Sequence, residues 1–174
     1  MQRRAVIGSI GAILGTSVGT AAYTSASVTR DASFTVATDA STALIGLNAG
    51  TTDGITETGD LLKITPADLN TDGSFTFGDS TSLDTAHAFS ITNNDGSERS
   101  FTLGYGTAGV TFDLFEEGTN GWTDAVSLGT VDDTTDVTWT AAAAQEVRVV
   151  MTVDTTGVAL GATDLDGTLT FTAN

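Results

Sequence analysis

Between His87 and Leu103 the chain reads HAFSITNNDGSERSFTL. Phe89 and Ile91 alternate with Ser90 and Thr92; Phe101 and Leu103 alternate with Ser100 and Thr102. A period of two puts an apolar row and a hydroxyl row on opposite faces of a strand. Asn94-Asp95-Gly96, between the two arms, are residue types that tolerate positive φ. The stretch therefore predicts a β-hairpin with its turn at Asn94–Gly96. Its apolar face has to lie on another sheet.

The same alternation recurs along the chain. Ala32 to Ala37 (ASFTVA) places Phe34 and Val36 on one face, and Ala43 to Leu47 is a more fully apolar run. Leu61 to Thr65 (LLKIT) reads as a short strand ended by Pro66. Asn48 to Asp60 and Asp68 to Asp79 read as loops, the second with a short SFTF run inside it. Val110, Phe112 and Leu114 alternate again; the chain turns over Glu116 to Gly121 and returns from Trp122 through Val126 and Leu128. Val137 and Trp139 mark another strand. Gln145 to Asp154 is the longest, with Val147, Val149, Met151 and Val153 on one face and Arg148 and Thr152 on the other. Leu169 and Phe171 close the series. About eight to ten short strands separated by turn signals predict an all-β, antiparallel β-sandwich of jelly-roll-like type.

Composition sharpens this picture. The chain has 174 residues, enough for a sizeable core in one domain. Its 22 acids against 6 bases give a formal net charge of −16, and two of those bases, Arg3 and Arg4, stand at the N-terminus. Such a balance repels duplexes and anionic membranes, so no nucleic acid is expected as partner. It suits concentrated salt, where the Debye length shrinks to about 3 Å at 1 M and self-repulsion fades. With 40% hydrophobic residues in strict alternation, disorder is not the reading of that charge. There is no Cys, hence no disulfide and no thiol chemistry.

Residues 1–22 read as an export signal. Gln2-Arg3-Arg4 is a basic start, Ala5 to Val18 is small and apolar, and cleavage is expected near Ala22 or Ala26. Arg3-Arg4 permits the twin-arginine route, and the general secretory route stays open. The mature chain, 23–174, is then one β-sandwich domain with an N-terminal arm, 23–36, and no transmembrane segment. It is expected outside the cell, at the surface of a halophile.

A family pattern runs through nearly the whole chain: GTAAYTS, then SFTVATDASTALIGL, then FSITNNDG, then a Val-rich strand ending in VDTTG. It resembles small secreted proteins of haloarchaea of unassigned function. More remotely it looks like the TasA and camelysin type of exported β-sandwich and the subunits of archaeal bundling pili. The resemblance implies a matrix or fibre subunit in which an N-terminal strand fits into the next copy. The chain departs from the bacterial pattern in its acidity and its long 48–85 region. The expected function is thus a self-associating homopolymer. Strand addition by the arm makes Tyr23, Val28, Phe34 and Val36 the candidate subunit contacts. The alternative is a monomeric secreted module for calcium or glycan.

The candidate calcium loop is Asp68-Leu69-Asn70-Thr71-Asp72-Gly73-Ser74-Phe75-Thr76-Phe77-Gly78-Asp79. Its D-x-N-x-D-G spacing offers oxygens from Asp68, Asn70, Asp72, Ser74, Thr76 and Asp79, with Gly73 at the sharp turn. An ordinary Asx-rich β-connection gives the same pattern. His87, the single His, is read as a packed or capped residue. No G-x-S-x-G elbow accompanies it, and no enzyme is expected. Trp139 belongs to the core by its alternation with Val137. Trp122, after a Gly-rich turn, is the exposed candidate for a carbohydrate or subunit contact.

Overall fold

A computed structural model of the chain describes residues 36–37, 45–58, 61–65, 69–70, 72–157, 165 and 167–174. The expected leader, and the expected arm up to residue 35, lie outside the described residues. Those described contain strands and no helix. The strands are β1 (Val36–Ala37), β2 (Ile45–Ala49), β3 (Ile55–Thr58), β4 (Leu61–Ile64), β5 (Ser74–Phe77) and β6 (Phe89–Asn93). They continue with β7 (Arg99–Tyr105), β8 (Val110–Gly118), β9 (Gly121–Val131), β10 (Val137–Ala141), β11 (Glu146–Asp154) and β12 (Leu169–Ala173). All pairings are antiparallel and the sheets pack together as a β-sandwich. The count exceeds the expected one because two stretches read as loops, 48–60 and 68–79, contain β3 and β5.

The large sheet runs β2-β6-β11-β8-β9, and the small sheet runs β10-β7-β12. A third, β1-β4-β3, carries Val36 opposite Leu62. β11 organises the large sheet. One side pairs with β8; the other pairs first with β6, over 146–149, and then with β5, over 151–154. Its Val147, Val149, Met151 and Val153 are buried, as their alternation predicts. They meet the inner row of the small sheet, where Phe101, Leu103 and Tyr105 of β7 and Val137 and Trp139 of β10 are buried in the same core. Tyr105 reaches across to Phe112 of β8 with ring centroids 5.3 Å apart, edge to face. Phe89 meets the same Phe112 at 6.1 Å. Edge-to-face pairs add about 0.5–1.5 kcal/mol beyond the area they bury.

The hairpin expected over 87–103 does not form. β6 pairs with β2 and β11, whereas β7 pairs with β10 and β12. Residues 94–98 therefore cross from the large sheet to the small one. The reason is Asn93, which is 1% exposed. Its Nδ2 donates to the carbonyls of Ser97 and Ala141, both at 2.9 Å, and of Ala142, at 3.0 Å. Its Oδ1 accepts from Asp95 N, at 3.0 Å. Those bonds tie this crossing to the neighbouring one, β10 to β11, where Ala144 takes a φ of 61°. Hairpins form instead at β3–β4, where Thr58 faces Leu61, and at β8–β9, where Gly118 faces Gly121 across Thr119-Asn120 and Gly121 has a φ of 85°.

Candidate functional site

The outer face of the large sheet is covered over part of its area. Val150 points away from the core yet is buried, as is Leu83 in the connection between β5 and β6; both stand outside the main core cluster. The connection is strapped down. Arg148 Nη1 donates to Leu83 O at 2.8 Å, and His87 Nδ1 lies 3.0 Å from the same carbonyl. That contact assigns the proton to Nδ1 in the neutral ring. Burial, followed by the Arg148 charge, holds the His87 pKa below its ordinary value. Arg148 also pairs with Glu146 at 2.9 Å and lies 4.1 Å above the Trp122 ring. Trp122 is therefore half-buried with one face taken by a guanidinium, not the open platform the sequence suggested. The structure puts Trp139 in the core, 5% exposed, stacked against Phe101.

The residues of the candidate calcium loop are placed as follows. Asp68 lies outside the described residues. The Asn70 carbonyl accepts from Thr155 Oγ1 at 2.7 Å, and Asp72 Oδ1 accepts from Gly157 N at 3.0 Å. Thr155 is fully buried, and its Oγ1 also accepts from Gly73 N at 3.0 Å. So Asn70 and Gly73 gather around one threonine hydroxyl, while Asp72 bonds the backbone on either side of it, donating from its N–H to Thr155 O and accepting from Gly157 N. Ser74 and Thr76 extend along β5, where Thr76 Oγ1 lies 3.4 Å from Thr152 Oγ1. Asp79 begins the next turn, accepting from Thr81 N at 2.8 Å and Thr81 Oγ1 at 2.7 Å. Those bonds hold its carboxyl below the usual range. Of the candidate subunit contacts, Tyr23, Val28 and Phe34 lie outside the described residues, and Val36 contributes its backbone to β1.

The outer face of the small sheet is different. Thr138, Thr102 and Thr172 form one row across β10, β7 and β12; Thr170 stands opposite Gly104 in the next. Thr102 and Thr138 hydroxyls are 2.9 Å apart. A recess of about 390 Å3 opens on this face, floored by Thr102, Gly104, Thr170 and Thr172. Asp133, Thr134 and Asp136, from the β9–β10 connection, form its wall. That connection is fixed by Asp132, whose Oδ1 accepts from Thr134 N and Thr134 Oγ1, both at 2.8 Å. A Cβ on Gly104 would meet the Asp136 carboxylate, which therefore lies directly over this glycine. Sequence reasoning missed this recess. Its only trace was the T-x-T and S-x-T spacing of three strands that meet in space and not along the chain.

The same sheet has an open edge. β12 pairs with β7 in unbroken register over its whole length, and no strand among the described residues pairs with its other side. The edge strand β9 differs: its register against β8 shifts twice, between Leu114 and Phe115 and between Glu116 and Gly118. Comparison with known protein families, characterised proteins and solved structures returns no match to the chain.

Proposed function

We propose that the protein is an exported, non-enzymatic structural subunit that joins copies of itself by strand addition. The segment 23–36 of one copy lies beside β12 of the next. The observation that supports this reading is the β12 edge. Natural sheets guard such edges with charge, Pro or bulges. A chain with 22 acids places none of them in LTFTA. Backbone hydrogen bonds supply affinity in this mode, and alternate side chains supply fit. Tyr23, Val28 and Phe34 make that fit, and Val36 is where the segment returns to its own β4. Head-to-tail repetition of one such contact gives an open filament. Copies of the mature chain, with 22 acids against 4 bases once Arg3 and Arg4 are removed, carry −18 and repel, so assembly belongs to concentrated salt.

Deletion of residues 23–31 tests the reading by electron microscopy in molar NaCl. The mature chain is expected to form filaments and the deletion to form none; filaments that persist would overturn it. Because the chain has no Cys, Val28→Cys with Thr168→Cys gives a clean second readout. An inter-chain disulfide is expected on oxidation. The recess favours a second reading, a monomeric binding module. Light scattering in molar salt separates the two, since only the first predicts large species.

A further inference from the structure

We propose that the recess on the small sheet is a binding site for a neutral saccharide. The inference does not rest on strand addition. Its volume, about 390 Å3, falls within the range of small-molecule sites. Gly104 leaves bare backbone in its floor between Thr102, Thr170 and Thr172, and the Asp136 carboxylate stands over that gap, so a ring sits beside the carboxylate with its hydroxyls turned toward it. The wall is set before any ligand arrives, because Asp132 spends its carboxylate on the turn. Asp133 and Asp136 remain, with no hydrogen-bond or ion-pair partner among the described residues.

The donor and acceptor inventory selects the ligand class. A carboxylate only accepts, so Asp136 and Asp133 call for ligand donors; a threonine hydroxyl both donates and accepts. A polyol meets both needs, since adjacent hydroxyls can donate to the two oxygens of one carboxylate. A guanidinium has donors and no acceptor, and leaves the threonine protons unmet. Calcium takes about 6–8 oxygens, more than two carboxylates beside that floor supply. Phosphorylated or uronic sugars are repelled by the paired carboxylates. The Tyr105 hydroxyl is bonded to Leu165 O and its side chain is buried, so it does not serve as a stacking platform. Binding therefore rests on hydrogen bonds and is weak and nearly independent of salt.

The experiment is a titration of the 15N-labelled mature chain, in molar NaCl, with maltotriose, cellotriose and mannotriose in turn. At least one is expected to shift the amides of Thr102, Gly104, Thr170 and Thr172. Asp136→Asn, an exposed change, is expected to weaken that binding about tenfold or more, the worth of a hydrogen bond to a charged group. Thr172→Val tests the floor in the same way, with thermal unfolding as the control for folding. A trisaccharide ending in glucuronate is expected to bind more weakly than its neutral counterpart. Silence with all three neutral sugars, or shifts confined to other parts of the chain, would overturn the proposal. So would calcium chloride or agmatine moving these amides where the sugars do not.

Discussion

On the large sheet, Val150 and Ser90 point away from the core and are still buried, because the β5–β6 connection lies over them. On the small sheet, Thr102, Thr138, Thr170 and Thr172 point away from the core and face outward, and none of the described residues is strapped across them. The strands of both sheets alternate in the same way. What differs is the connection nearby. The stretch 78–88 is long enough to cross a sheet and carries one large apolar residue, Leu83, to plug the far side. The stretch 132–136 reaches only the end of the small sheet and becomes a wall. The fate of an outer face is thus decided by loops more than by strands.

The largest effect is expected from Asn93→Asp, which would uncouple the two crossings and with them the two sheets. It places a carboxylate against three carbonyls at a site 1% exposed. A loss of about 3–5 kcal/mol is expected, the cost of a buried uncompensated charge. Urea unfolding measures it. Next comes Leu83→Ala, expected to cost about 2–5 kcal/mol and to open the 78–88 connection to protease. A loss of under 1 kcal/mol, on the same urea scale, would mean that the large sheet's outer face is no better covered than the small one's.

His87 gives a smaller, pH-dependent effect. Its pKa is depressed from 6.5 by burial and by Arg148, against a weaker opposing pull from Glu146. The folded state therefore resists protonation. Stability from this site is full above 6.5 and is lost as the pH falls through the folded value. His87→Gln should remove that step from a plot of Tm against pH. It should leave the separate loss below 3.8, where Asp79, Asp132 and Asp154 give up bonds from Thr81, Thr134 and Thr156. The smallest effect belongs to the small sheet. Thr102→Val, Thr170→Val and Thr172→Val should each shift stability by less than about 0.5 kcal/mol. A larger change, by the same unfolding assay, would show that the hydroxyl rows hold the sheet together.

Much of the fold was legible. The valines of β11, the Phe-x-Leu of β7 and the Val-x-Trp of β10 turned inward as their period requires. The hairpin was misread because Asn-Asp-Gly is a local signal, while the partners of both arms are distant. β6 needed β11 and β7 needed β10, and neither pairing is written near residue 95. Leu83 was also illegible, since a single Leu among Ser, Thr and Asp has no period. The SFTF run hid a strand inside an ion-loop pattern, because that pattern and an Asx turn before a strand share the same residues. The recess required three strands and a connection to be placed before its chemistry could be seen.

The three neighbours of β11 carry one more consequence, for the order of events as the chain is made. β5, β6 and β8 all precede it, and the bond from Thr155 Oγ1 to Gly73 O spans 82 residues. Until residue 154 has emerged, those three strands have no shared partner, although β2–β6, β3–β4, β7–β10 and β8–β9 can already pair. A topology built from such distant pairings matures in milliseconds to seconds, not microseconds. A late-closing β11 leaves a window in which the unfinished chain is threaded, escorted or lost to aggregation.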